Sequence, residues 1–174
     1  VAQARAQAAQ ASRPPAPPTR KAAGFIPWCR ERILVRDQAW SLAGHEYLQE
    51  PYEVATVHPN IVFEKAAQVG GSTLVLLAAF YACDRWAAKV IYYLSTDQDA
   101  FDFSNDRVNI LIDESPYLAQ LVEERDRGRD NVGLRHVGRG SLFCRGMFTR
   151  RKVKAVDADV LVLDELDEAD QHNK

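Results

Sequence analysis

The period of the hydrophobic pattern changes along the chain, and the changes place the elements. Ile61, Val62 and Phe63 form a short apolar run between Asn60 and Glu64, the length of a buried strand. Residues 74–86 are predominantly apolar over a longer span and predict a helix. Lys89-Val90-Ile91-Tyr92-Tyr93-Leu94 reads as a second buried strand. Ser95, Thr96 or Asp97 can then cap a helix from about Ala100 to Asp113, burying Phe101, Val108, Ile110, Leu111 and Ile112. Ser115-Pro116 breaks that pattern, and residues 117–124 predict a further short helix. Gly138 and Gly140 frame a hairpin-like pair of strands at 133–137 and 141–148. Val160-Leu161-Val162-Leu163 is the last apolar strand. Strands alternating with helices predict an α/β fold with a mainly parallel sheet.

Upstream of this alternation, Phe25, Ile26, Trp28, Ile33, Leu34, Trp40, Leu42, Tyr47 and Leu48 supply apolar anchors for one or two short helices. Ser41 is a candidate N-cap for a helix over 42–50, which Pro51 should stop. Residues 1–24 are Ala/Gln-rich, then Pro-rich, and carry Arg5, Arg13, Arg20 and Lys21 without an acid. Such a segment has too little large apolar surface to bury a core and reads as a disordered tail, although its composition also resembles a transit peptide. The expected organisation is therefore a tail over 1–24 and one α/β domain over 25–174.

Composition changes this picture little. The chain has 174 residues, 47% hydrophobic and 26% charged, enough for a globular domain. Its net charge of −2 argues neither for nor against nucleic acid. Cys29, Cys83 and Cys144 are widely spaced, which argues against a metal–thiolate site and fits a reducing compartment. No apolar run is long enough to span a bilayer. Charge distribution is more informative. Residues 134–156 hold seven Lys or Arg and no acid, whereas 157–170 hold seven acids and no base. The basic half can face a phosphate backbone, a neighbour's nucleotide, or solvent.

The candidate chemistry lies at two strand ends. Lys65-Ala66-Ala67-Gln68-Val69-Gly70-Gly71-Ser72-Thr73 separates the first apolar run from the long helix. A strand, a glycine turn and a helix in that order form a phosphate cradle, because backbone N–H groups and the helix N-terminus converge on one point. The usual pattern G-x-x-x-x-G-K-[ST] is altered here. Gly71 stands where the lysine belongs, Ser72 keeps the hydroxyl position, and Lys65 replaces the first glycine. A lysine on a long flexible stem can still reach the β/γ-phosphates from position 65. Gln38, Tyr47 and Tyr52, upstream of the loop, are candidates for an adenine pocket or for simple packing.

The second end is Asp164-Glu165, directly after the strand at 160–163. This is the Walker B pattern. The first carboxylate can hold the water shell of Mg²⁺, and the second can orient the attacking water. Each motif alone has a structural explanation, a glycine turn or a capping turn. Together they point to a nucleotide site at the carboxyl ends of the strands. Asp167-Glu168-Ala169-Asp170 spells a helicase signature, but it does not directly follow an apolar strand and is read as coincidence.

Four pieces resemble the ATPase domain of the large subunit of tailed-phage terminases. They are the Lys65–Ser72 loop with its displaced lysine, and Ser41-Leu42-Ala43-Gly44-His45-Glu46-Tyr47-Leu48. The others are Phe103-Ser104-Asn105-Asp106-Arg107 with Ser115-Pro116-Tyr117-Leu118, and residues 156–160 running into Leu163-Asp164-Glu165. The resemblance covers roughly residues 25–174. It implies a P-loop NTPase of the ASCE/RecA-like kind that binds ATP and Mg²⁺ and drives double-stranded DNA into a procapsid. By this resemblance Lys65 contacts the phosphates, and Gln68, Gly70, Gly71, Ser72 and Thr73 form the cradle. Ser72 and Asp164 serve the metal, Glu165 is the catalytic carboxylate, and Arg150 or Arg151 completes a neighbour's site. The implied partners are the portal protein, the terminase small subunit and further copies in a ring, in the cytoplasm of an infected bacterium. No membrane is implied. Family members continue into later strands and a nuclease domain. The chain, which begins with Val and stops nine residues after Glu165, is accordingly read as truncated before its last strands, without nuclease activity. Another P-loop ATPase, helicase-like, and a catalytically silent remnant are the alternatives.

Overall fold

The computed structural model describes residues 24–66, 68–126, 133–147 and 157–165. Helix α1 spans Phe25–Arg32, and a two-stranded hairpin follows, β1 at Leu34–Val35 and β2 at Gln38–Ala39. A 3₁₀ turn at Glu46–Leu48 leads into α2, Gln49–Val54. The long helix α3 is Gly71–Trp86, and β3 is Lys89–Leu94. Helix α4, Asp97–Phe103, passes through a π-helical segment, Ser104–Asn109, into α5, Ile110–Glu114. Helix α6 is Pro116–Asp126, and strands β4, β5 and β6 are Leu134–Val137, Gly140–Gly146 and Val160–Leu163.

Strands β4, β5, β3 and β6 form one sheet in that order. β3 pairs in parallel with both β5 and β6, so Tyr92 lies between Cys144 and Val162. β4 returns antiparallel to β5 as a hairpin. The sheet is thus mixed and mostly parallel, with helices packed on it, as the alternating pattern predicts. β3 takes the interior place because five of its six residues are buried. A run apolar on both faces belongs inside a parallel sheet. Helix α3 touches β3, β5 and β6. Its tight approach requires Gly140, where a Cβ would come within 2.6 Å of the Ala88 carbonyl oxygen and 2.7 Å of the Cys83 backbone.

The core gathers Trp28, Ile33, Leu77, Phe80, Tyr92 and Leu118, all essentially inaccessible. Two polar contacts brace the elements around it. Asp84 accepts hydrogen bonds from Trp28 Nε1 and Tyr117 Oη, both at 2.8 Å, which ties α1 and α6 to the end of α3. Thr96 forms a full capping box with Asp99 at the start of α4.

Four local expectations are corrected, the first being that Phe101 and Ile110, expected to be buried, are half exposed. The run at 60–64 forms no strand, and Val62 is 99% exposed. Among the described residues β6 is the sheet edge, and the run does not add to it. Ser41 caps no helix over 42–50; its hydroxyl accepts from the Ala43 N–H in a local turn. Pro51 does not stop a helix but sits in the first turn of α2, where a missing N–H costs nothing. Residues 1–23 and the basic-to-acidic stretches 148–156 and 166–174 lie outside the described residues.

Candidate functional site

The site begins where α3 begins. Gly70 is its N-cap and takes a left-handed conformation, φ +82°, which an L side chain rarely adopts. The Leu74 N–H bonds the Gly70 carbonyl at 3.1 Å and starts the helix. Gln68, exposed in the turn before it, is also left-handed at φ +61°. Ser72 and Thr73 stand half-buried in the first turn of α3. A helix of this length presents unpaired N–H groups and partial positive charge there, an anion-binding end.

Gly71 has a different reason to be glycine. A Cβ at that position would collide with Cδ of Lys65 and lie 3.1 Å from the Phe63 ring. The aliphatic stem of Lys65 therefore runs across the first residue of α3. The ammonium beyond it lies 3.5 Å from Oδ1 of Asp164.

Asp164 is delivered by the sheet. β6 pairs with β3 through Tyr93↔Leu163, and the next N–H, that of Asp164, donates to the Tyr93 carbonyl at 3.1 Å. At the other end Asp159 clamps the start of the pair. Its carboxylate accepts from the Lys89 N–H at 2.8 Å, and its own N–H donates to the Lys89 carbonyl at 2.9 Å. The Asp164 side chain is buried yet held on both oxygens. Tyr92 Oη donates to Oδ2 at 2.6 Å, and the Glu165 N–H donates to Oδ1 at 3.1 Å. Burial pushes the Tyr92 hydroxyl well above its ordinary range, and the neighbouring Asp164 charge pushes it the same way, so it stays protonated and donates. Glu165 is exposed at φ +56°, with its carbonyl accepting from Ser95 Oγ at 3.3 Å. A non-glycine residue in that region directly after a buried carboxylate is the kind of backbone outlier that clusters at functional sites.

The other sequence candidates fall in different places. Tyr47 reaches the loop, its hydroxyl donating to the Val69 carbonyl at 3.1 Å. Gln38 lies exposed on β2, and the main contacts of its hairpin run to α1 and α5. Leu34 of that hairpin exchanges hydrogen bonds with Ser115 at 3.0 and 2.9 Å. Tyr52 is a core residue, its ring 5.3 Å from Phe25 and its hydroxyl 3.4 Å from Trp40 Nε1, which leaves no face for a ligand. Arg150 and Arg151 lie outside the described residues. Two of the basic side chains nearby have intramolecular neighbours. Arg135 donates to Asn109 Oδ1 at 2.8 Å, and Arg145 stacks 5.1 Å from the Phe143 ring. Sequence reasoning missed Tyr92 and Ser95. The tyrosines inside the buried strand Lys89–Leu94 were the available signal, because a buried phenol needs a partner.

A separate cavity of about 400 Å³ is lined by Asp97, Ala100, Phe101, Leu134, Phe143 and Arg145, among others. It includes none of Lys65, Asp164 or Glu165 and is not the site described here. Among the described residues no three His, Cys, Asp or Glu side chains converge on a metal position. Mg²⁺ does not need such a cage, since it is commonly bound by one or two carboxylates together with substrate phosphates and waters. The hard oxygens of Asp164 fit that role.

A glycine turn opening a helix, and a buried acid closing the adjacent parallel strand, define a P-loop NTPase-like α/β fold. The family model for the phage terminase large subunit gpA, ATPase domain, matches residues 38–174. The chain belongs to that family and is an ATP-binding ATPase domain of the DNA-packaging machinery. No curated protein and no solved structure matches it. Among the described residues no helix is long and apolar enough to cross a membrane.

Proposed function

We propose that this ATPase domain hydrolyses Mg²⁺-ATP at a site that includes Lys65 and Asp164 and couples turnover to translocation of double-stranded DNA into a procapsid. The observation that carries the site is the contact of Lys65 Nζ with Asp164 Oδ1 at 3.5 Å. It brings the displaced lysine of the loop to the carboxylate at the end of β6. Lys65 binds the phosphates, with Gln68, Gly70, Gly71, Ser72 and Thr73 around them. Ser72 and Asp164 hold Mg²⁺, which when bound neutralises charge developing on the phosphates. Glu165, exposed beside the buried acid, orients the attacking water and takes its proton. Tyr47 bonds the loop from outside and borders the nucleotide. Arg150 or Arg151 reaches the site of a neighbouring copy in a ring mounted on the portal protein, with the terminase small subunit as a further partner, in the host cytoplasm.

The test is ATP turnover by the wild type, Lys65→Ala and Glu165→Gln. Each substitution should cut kcat at least about 100-fold, the scale of a lost electrostatic or proton-transfer group. Glu165→Gln should retain nucleotide binding and Lys65→Ala should weaken it. Turnover that survives both changes would overturn the assignment. Stimulation of turnover by double-stranded DNA tests the coupling separately.

A further inference from the structure

We propose that Tyr92, on the neighbouring strand, is the positioning residue that fixes the Asp164 carboxylate for the metal. This inference rests on the nucleotide-site reading above. Tyr92 and Asp164 are both buried, and Tyr92 Oη lies 2.6 Å from Oδ2. That is the length of a charge-assisted O–H···O⁻ bond. The Tyr92 ring cannot swing away. It stacks on Phe103 at 4.7 Å and 29°, and its backbone is paired on both sides, to Cys144 and to Val162.

The two oxygens of Asp164 consequently have different tasks. Oδ2 accepts the short bond from the buried Tyr92. Oδ1 receives the Glu165 N–H at 3.1 Å and faces Lys65 across the loop. A carboxylate tied at one oxygen to a packed ring and at the other to its own chain is restrained about its χ angles. Oδ1 is therefore presented to the phosphate side before any ligand arrives. Lys65 supplies the positive charge near Oδ1 in this arrangement, and it is the mobile partner, on a flexible stem. Tyr92 is the fixed partner. Partners that orient a metal ligand in this way commonly contribute 10- to 100-fold in metal affinity.

The experiment is a Mg²⁺ titration of binding of a fluorescent ribose-modified ATP to the full chain, wild type against Tyr92→Phe. Mn²⁺ binding in the presence of the nucleotide, read by electron paramagnetic resonance, is the second readout. Tyr92→Phe keeps the ring and its stack but removes the donor. The half-saturating Mg²⁺ concentration should rise about tenfold or more, whereas nucleotide affinity in excess EDTA should be unchanged. A purely structural role would lower the melting temperature without moving the Mg²⁺ midpoint, and that result would overturn the proposal. If Tyr92→Phe does not fold, 4-fluorophenylalanine at position 92 fills the hydroxyl's space without a donor and should show the same rise. 4-Aminophenylalanine there restores a donor and should restore the midpoint. A wild type whose nucleotide binding ignores Mg²⁺ would instead count against the nucleotide-site reading itself.

Discussion

Lys65 and Asp164 meet at 3.5 Å, with side chains 25% and 7% exposed. One comes from the turn before α3 and the other from the end of β6. Asp164 is also bonded by Tyr92 and by the Glu165 N–H, so the lysine adds charge to a carboxylate whose hydrogen bonds are already supplied. A partly buried pair of this kind contributes about 1 kcal/mol. Lys65→Ala is accordingly expected to lower the melting temperature by only a few degrees while abolishing turnover. Differential scanning calorimetry beside the ATPase assay separates the two effects. A loss of folding would show that the pair is structural instead.

Gly71 gives a sharper test of the displaced lysine. The stem of Lys65 occupies the space that any side chain at 71 would enter. Restoring the usual loop with Gly71→Lys should therefore weaken ATP binding relative to the wild type. The double variant Lys65→Ala/Gly71→Lys frees that space and should bind better than Lys65→Ala alone. Isothermal titration of the four proteins measures the coupling, and additive effects would show that the two positions do not compete.

Gly140→Ala probes the packing that sets the sheet against α3. Its Cβ would meet backbone atoms of Ala88 and Cys83, which cannot rotate away as a side chain can. The expected cost is about 1–3 kcal/mol, that of overpacking, read as a lower midpoint in urea. An unchanged midpoint would mean that β5 shifts freely.

The thiols predict a pH dependence. Burial pushes Cys83 and Cys144 up to about 12. An unfolded thiol ionises at about 8.5. Below that pH both states keep the proton, and the preference of the fold for the neutral thiol is fully present. Between about 8.5 and about 12 the unfolded chain loses the proton while the folded chain retains it, so stability falls as pH rises. Iodoacetamide should label neither residue in the folded protein at pH 8 and both in urea. Rapid labelling of the folded protein would contradict their burial.

The sequence by itself determined the α/β alternation, the interior strand β3, the β4–β5 hairpin, the glycine turn that opens α3 and the acid pair that ends β6. Each is a local property, either a period or a short residue pattern, and needs no knowledge of neighbours. It could not determine pairings that depend on which strands lie side by side. The run around Val62 has strand composition, but it does not join the open edge of β6 and stays exposed. Tyr52 and Tyr47 were equal candidates for ligand contact; packing buried the first against Phe25 and Trp40 and left the second bonded to the loop. Tyr92 acquired its partner only because β6 lies beside β3 in register. The tertiary structure also decided why Gly71 replaces a lysine, because the stem of Lys65 crosses the same space.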